Sequence, residues 1–172
     1  MANPCAHDHD IQGLQGRDLS AELTAAEARL ARGEQKMTQP RRRVLELLLQ
    51  AGQPVKAYDL LEQLRSDRDA DGGEGSGAAA PPTVYRALDF LLANGFIHKL
   101  ESVNAFVACH HPNASQHSVP FLICDRCHSA TELEDAGIVA SLEAAARGLG
   151  FAPQAQTLEV HGLCARCSAK PR

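Results

Sequence analysis

The sequence predicts an α+β protein in two parts, on three observations. Apolar residues recur at helical spacing from Leu23 to Leu92, the period turns to alternation at Phe96, and a shorter mixture of strands and one helix fills the remainder. At 172 residues the chain has room for one ordinary domain or two small ones, and 44% hydrophobic against 22% charged residues is enough to bury a core.

Residues 1–17 form a polar lead-in with Cys5, His7 and His9, read either as a tail or as a weak metal-sampling cluster. A first helix is capped at Leu19-Ser20 and carries Leu23, Ala26 and Leu30 on one face. Thr38-Gln39-Pro40 opens a second helix, because threonine is a capping residue and proline is tolerated in a first turn. Its face is Val44, Leu47, Leu48 and Ala51, and it ends at Gly52 and Pro54. Ala57, Leu60, Leu61 and Leu64 mark a third helix, and a glycine-rich stretch over 70–80 breaks the series. A fourth helix starts at Pro81-Pro82-Thr83, turns Val84, Leu88, Leu91 and Leu92 inward, and closes at Asn94-Gly95 with a left-handed cap. Alternation over 96–101 and 105–108, joined by Ser102-Val103-Asn104, predicts a hairpin.

Short helices followed by a hairpin outline a winged helix-turn-helix domain. Beyond it the pattern reads strand (119–124), strand (130–134), helix (136–149) and strand (157–163), a small α+β domain. The expected boundaries are a tail at 1–18, the winged-helix domain at 19–108, a hinge at 109–118 and the second domain at 119–168.

Composition excludes several functions. The longest apolar runs span a few residues, far short of the roughly 20 a membrane helix needs, and the N-terminus lacks a signal-peptide profile, so a cytoplasmic protein is expected. Tryptophan is absent and aromatics are 4%, which argues against base-stacking or sugar-stacking clefts. The net charge of −4 does not favour nucleic acid, but the stretch from Lys36 to Arg65 carries six cations (Lys36, Arg41, Arg42, Arg43, Lys56, Arg65) against three acids, a modest basic patch. On charge alone a solvated helix face is the better reading of these arginines. The fourth helix adds Thr83, Tyr85 and Arg86 facing outward near its N-terminus, where a recognition helix presents side chains to base edges.

Six cysteines in a cytoplasmic chain point to metal or redox chemistry before disulfides. Cys124-Asp125-Arg126-Cys127 and Cys164-Ala165-Arg166-Cys167 are two C-x-x-C knuckles that together make a four-thiolate structural zinc site, provided the outer strands of the second domain are neighbours. A thioredoxin-like redox pair is the competing reading; it needs a cysteine at a helix N-terminus, and neither pair is expected to precede a helix. A second group comprises His98, Cys109, His110, His111, His117, His128, Glu132 and His161, some of them surface bystanders. His98, Cys109, His117 and Glu132 form a mixed nitrogen, sulfur and oxygen set around the hinge, suited to a second Zn²⁺ that responds to metal supply. A zinc enzyme using the same ligands is the alternative, yet the H-x-E and P-C-x-x-C pattern of deaminases is missing.

The segments Thr83-Val84-Tyr85-Arg86-Ala87-Leu88-Asp89-Phe90-Leu91, Gly95-Phe96-Ile97-His98, Phe121-Leu122-Ile123-Cys124-Asp125-Arg126-Cys127 and Glu159-Val160-His161-Gly162-Leu163-Cys164 resemble the ferric uptake regulator family, in its zinc-responsive branch. The resemblance implies a cytoplasmic homodimer in which the second domain dimerises. It also implies no enzymatic activity and no small-molecule substrate, with zinc-dependent repression of zinc-acquisition genes at AT-rich inverted repeats in double-stranded DNA. At least two Zn²⁺ per subunit are implied: a structural ion on Cys124, Cys127, Cys164 and Cys167, and a sensing ion on His98, Cys109, His117 and Glu132. Tyr85 and Arg86 take the place of the family's DNA-contacting pair, joined by Thr83 and Arg41. The glycine-rich 70–80 and the Cys5/His7/His9 tail depart from the family pattern. Spare ligands at His110, His111, His128 and His161 leave a third site open.

Overall fold

A computed structural model describes residues 17–70, 80–109, 119–133, 135–154 and 156–169. The chain divides into two compact units that part between residues 117 and 118.

The first unit is built from four helices and a hairpin: α1 (Arg17–Arg32), α2 (Gln39–Ala51), α3 (Ala57–Ala70), α4 (Pro81–Ala93), β1 (Ile97–Leu100) and β2 (Ala105–Ala108). Its core is the set of apolar stripes legible in the sequence, with Val44, Leu48, Leu60, Val84, Leu88, Leu91 and Ile97 almost wholly withdrawn from water. Burying one such leucine contributes about 2 kcal/mol from transfer alone. Helix α4 turns Val84, Ala87, Leu88 and Leu91 fully inward and leaves Leu92 half-buried. Ala87 rather than Leu92 therefore completes the stripe, because the i, i+3, i+4, i+7 spacing runs through 84, 87, 88 and 91.

Helix α2 starts at Thr38, whose extended backbone (φ −75°, ψ 158°) ends the preceding chain but whose side chain makes no capping hydrogen bond. Its carbonyl accepts from Arg42 N–H at 2.9 Å, so the threonine caps with its backbone alone. Gly52 closes the helix at φ +56°, a conformation costly for a residue with a Cβ. Gly95 does the same after α4 at φ +64°. The sequence reading missed a third strand segment. Val55 and Phe106 exchange both backbone hydrogen bonds at 2.8 Å, so the chain after Pro54 joins the hairpin as an isolated bridge. This contact, with helix packing behind it, explains why all four residues of β2 are buried rather than alternating.

The second unit contains β3 (Phe121–Cys124), β4 (Ala130–Glu132), α5 (Ala136–Gly148), β5 (Glu159–Gly162) and α6 (Ala165–Ser168). Strand order is β4-β3-β5; β3 pairs antiparallel with β4 and parallel with β5. A parallel return needs a long crossover, which α5 supplies, capped by the Asp135 side chain on Gly137 N–H at 2.8 Å. Helix α6 was not expected; it is one turn long and follows Cys164.

Candidate metal centres and nucleic-acid interface

The four knuckle cysteines meet because β3 and β5 run parallel side by side. Cys124, the last residue of β3, stands opposite Gly162, so both strands discharge their knuckles at the same end of the sheet. Backbone hydrogen bonds fix the first knuckle: Asp125 N–H to Gly162 O at 2.8 Å, His128 N–H to Cys124 O at 2.8 Å and Cys124 N–H to Ser129 O at 2.9 Å. His128 closes this turn at φ +59°, in the left-handed region. The second knuckle is wound by α6, with Cys167 N–H bonded to Cys164 O at 3.0 Å.

All four sulfurs lie within 4.8 Å of one another, and Cys127 Sγ is 3.8 Å from Cys164 Sγ. That separation far exceeds a disulfide bond and matches the edge of a ZnS₄ tetrahedron, about 3.8 Å for Zn–S bonds of about 2.3 Å. Three thiols have shifted titration. Backbone N–H groups of Cys164 and Cys127 aimed at its sulfur lower Cys124 to about 6. The Ser129 hydroxyl and N–H lower Cys127. Burial, then hydrogen bonding to the other sulfurs, pushes Cys167 up to about 12. Thiolates packed this closely repel each other unless a cation sits among them, so the donor set fits a divalent soft metal.

The expectation that neither knuckle precedes a helix is corrected: Cys164 is the N-cap of α6. The redox reading gains nothing from this. A redox pair needs only its own partner, whereas Cys127 lies within 3.8 Å of a sulfur from the other pair.

In the first unit, antiparallel register sets a second pair of ligands. His98 opposes Val107, and Cys109 donates its N–H to Phe96 O at 2.9 Å. His98 and Cys109 are therefore diagonal neighbours on one face of the hairpin, and their ligand atoms lie within 4.8 Å. Cys109 is buried, His98 half-buried. Glu132 ends β4 in the second unit, also half-buried. His117, His110, His111 and the Cys5/His7/His9 cluster lie outside the described residues. His128 and His161 are exposed, and His161 Nδ1 sits 2.9 Å from Asp125 Oδ1, consistent with a surface role for both.

On α4, Pro81 and Pro82 preset the first turn; Thr83 is half-buried, while Tyr85 (55% exposed) and Arg86 project outward. The guanidinium of Arg41 stacks over the Phe90 ring, 3.4 Å from its centroid, and donates to Lys36 O at 2.9 Å, which fixes it beside α4. Arg42 and Arg43, counted in the sequence as part of the basic patch, are instead ion-paired with Glu27 and with Glu46 and Asp67. Glu46 is already within that count, whereas Glu27 and Asp67, 15 and 24 residues from their partners, lie outside the Lys36–Arg65 stretch. Several apolar side chains of the second unit are exposed, among them Leu142, Leu149, Phe151 and Val160.

These features define a winged-helix protein with a cluster of four cysteines arranged as a candidate metal site. The chain belongs to the ferric uptake regulator family: the profile described as "Ferric uptake regulator family" matches residues 32–161. It is 41% identical over 145 residues to the "Zinc uptake regulation protein" of Escherichia coli (strain K12), covering 84% of this chain and 80% of that relative. It also resembles the crystal structure of holo XcZur, with 61% identity and a TM-score of 0.77 over 87% of this chain and 99% of that one. A structure described as "Zinc Uptake Regulator Complexed With Zinc AND DNA" aligns with a TM-score of 0.78 at 38% identity, covering 89% and 97%.

Proposed function

We infer that the protein is a zinc-responsive, DNA-binding transcriptional regulator and not an enzyme. One observation carries the reading: an outward-facing helix-turn-helix is joined to a four-thiol centre of ZnS₄ dimensions in a chain similar to a zinc- and DNA-bound regulator. It acts as a homodimer in the cytoplasm. The exposed apolar side chains of the second unit, from Leu142 to Val160, belong to the surface a partner subunit covers.

Two Zn²⁺ per subunit are proposed. Cys124, Cys127, Cys164 and Cys167 hold the structural ion, which closes every coordination position and leaves none for catalysis. His98, Cys109, His117 and Glu132 hold the sensing ion; the buried thiol beside an imidazole on the hairpin supports a zinc-selective set. Because these ligands are drawn from the wing, the hinge at 109–118 and the second domain, occupancy fixes the angle between domains and so the spacing of the two winged helices of the dimer. Thr83, Tyr85 and Arg86 read the major groove, with Arg41 contributing a cation alongside α4. The target is an AT-rich inverted repeat controlling zinc-acquisition genes, which the zinc-loaded dimer represses.

The test is recovery of genomic fragments by the pure protein at buffered free Zn²⁺ and again with a weak chelator. A few inverted-repeat sites recovered only with zinc are expected. Equal recovery in both conditions would reduce the zinc to a structural role.

A further inference from the structure

Three consecutive arginines open α2, and each is fastened to a different helix. Arg41 stacks on Phe90 of α4, and Arg42 Nε donates to Glu27 Oε1 of α1 at 2.9 Å. Arg43 is gripped from two sides: Nη1 lies 2.8 Å from Glu46 Oε2, while Nε and Nη2 lie 2.9 and 2.6 Å from Asp67 Oδ2 on α3. Burial opposes the charge on Arg43, but its hydrogen bonds to Glu46 and Asp67 outweigh that and raise its pKa.

Asp67 lies where α3 has run out of apolar anchors. Leu60, Leu61 and Leu64 dock the helix, whereas Arg65-Ser66-Asp67-Arg68-Asp69-Ala70 offers no large apolar side chain to the core. The ion pair with Arg43 therefore ties the last turn of α3 to α2. Helix α3 also packs against α4, so the placement of its end bears on that helix.

We propose that Arg43, through Asp67, is a positioning residue for DNA recognition: it pins the last turn of α3 to α2, and α3 in turn packs against α4. The proposal rests on reading α4 as the recognition helix. It gives Arg43, counted in the sequence as part of a modest basic patch, a role other than phosphate contact.

The test uses full-length zinc-loaded protein, a duplex that the wild type selects from a random pool, and an unrelated duplex of equal length. Arg43→Gln, Asp67→Asn and the double variant are compared, with circular dichroism at the assay temperature confirming fold. Each single variant is expected to lose about fivefold in affinity for the selected duplex, and the double no more than either single. Affinity for the unrelated duplex should change by less than about twofold, with the salt dependence kept. Asp67→Asn is the decisive arm, since removing a negative charge strengthens DNA binding if electrostatics alone governs. Tighter or unchanged binding by Asp67→Asn, additive losses in the double variant, or a salt slope lowered by about one in Arg43→Gln would overturn the proposal. If the wild type selects no duplex, the DNA-binding reading itself falls instead.

Discussion

The sulfur of Cys127 lies 3.8 Å from the sulfur of Cys164, although 37 residues separate them in sequence. Neither knuckle closes a tetrahedron alone; parallel pairing of β3 with β5 brings them to one end of a three-stranded sheet. In the second unit the buried side chains among the described residues are few, and two of them are Cys124 and Cys167. The zinc proposed for this position would supply cohesion that these few buried side chains do not. Bound there, it would contribute on the order of 10 kcal/mol to folding. Cys124→Ser is therefore expected to lose one zinc per subunit, measured by mass spectrometry, and to unfold the second unit while the helices of the first persist. Retention of stoichiometric zinc and a cooperative melt would contradict this.

Loading of that site should depend on pH in two regimes. Zinc displaces the proton from every thiol that still carries one. With Cys167 at about 12, its proton must leave at any pH up to that value, so this thiol alone makes affinity rise by about one decade per pH unit across the neutral range. Cys124, at about 6, is already a thiolate above that pH and adds a proton to displace only below it. Chelator competition on metal-free protein should show affinity falling as pH drops and falling more steeply below about pH 6. A slope that flattens there would show the assignment of the two thiols to be wrong.

Cys109→Ser separates sensing from structure. The Cys109 N–H bond to Phe96 O survives the change, and Cys124, Cys127, Cys164 and Cys167 are untouched. A folded dimer that keeps its structural zinc but no longer gains operator affinity with added zinc is expected, read by titrating labelled DNA at buffered metal. Undiminished zinc-dependent binding would remove Cys109 from the sensing set.

Helical periodicity made the first unit legible, because Val44, Leu48, Leu60, Val84 and Leu88 are buried by the stripes they form. The C-x-x-C spacing did the same for the thiolate centre. What stayed hidden was whatever depends on distant partners. The Val55–Phe106 bridge joins residues whose local sequence says only that a helix has ended, and helix α6 is a single turn imposed around Cys164 and Cys167. Arg42 and Arg43 count in the sequence only as members of a basic patch, and their partners Glu27 and Asp67 become visible only in the fold.

Arg86 tests the recognition helix. It is exposed on the first half of α4, free to reach a base edge, and a bidentate pair with guanine discriminates by about 1–3 kcal/mol. Arg86→Ala should weaken selected-duplex binding by about tenfold or more and relax preference at one base position in each half-site, seen by repeating the selection with the variant. Uniform weakening across all sequences would make Arg86 a phosphate contact instead.

The last expectation concerns the apolar surface of the second unit. Among the described residues of α5 none is fully buried, Leu149 is 88% exposed and Phe151 66%. Large apolar side chains left in water at the end of α5 and just beyond it call for a covering partner, and a second copy of the chain supplies one with the same surface. Leu149→Asp combined with Phe151→Asp alters side chains already in solvent, so the fold of one subunit should change by less than about 0.5 kcal/mol. Sedimentation should then show a monomer with four-thiolate zinc intact. Operator binding should fall further than either winged helix alone accounts for, because two half-sites are no longer held by one particle. If the variant sediments as a dimer, the subunits meet elsewhere.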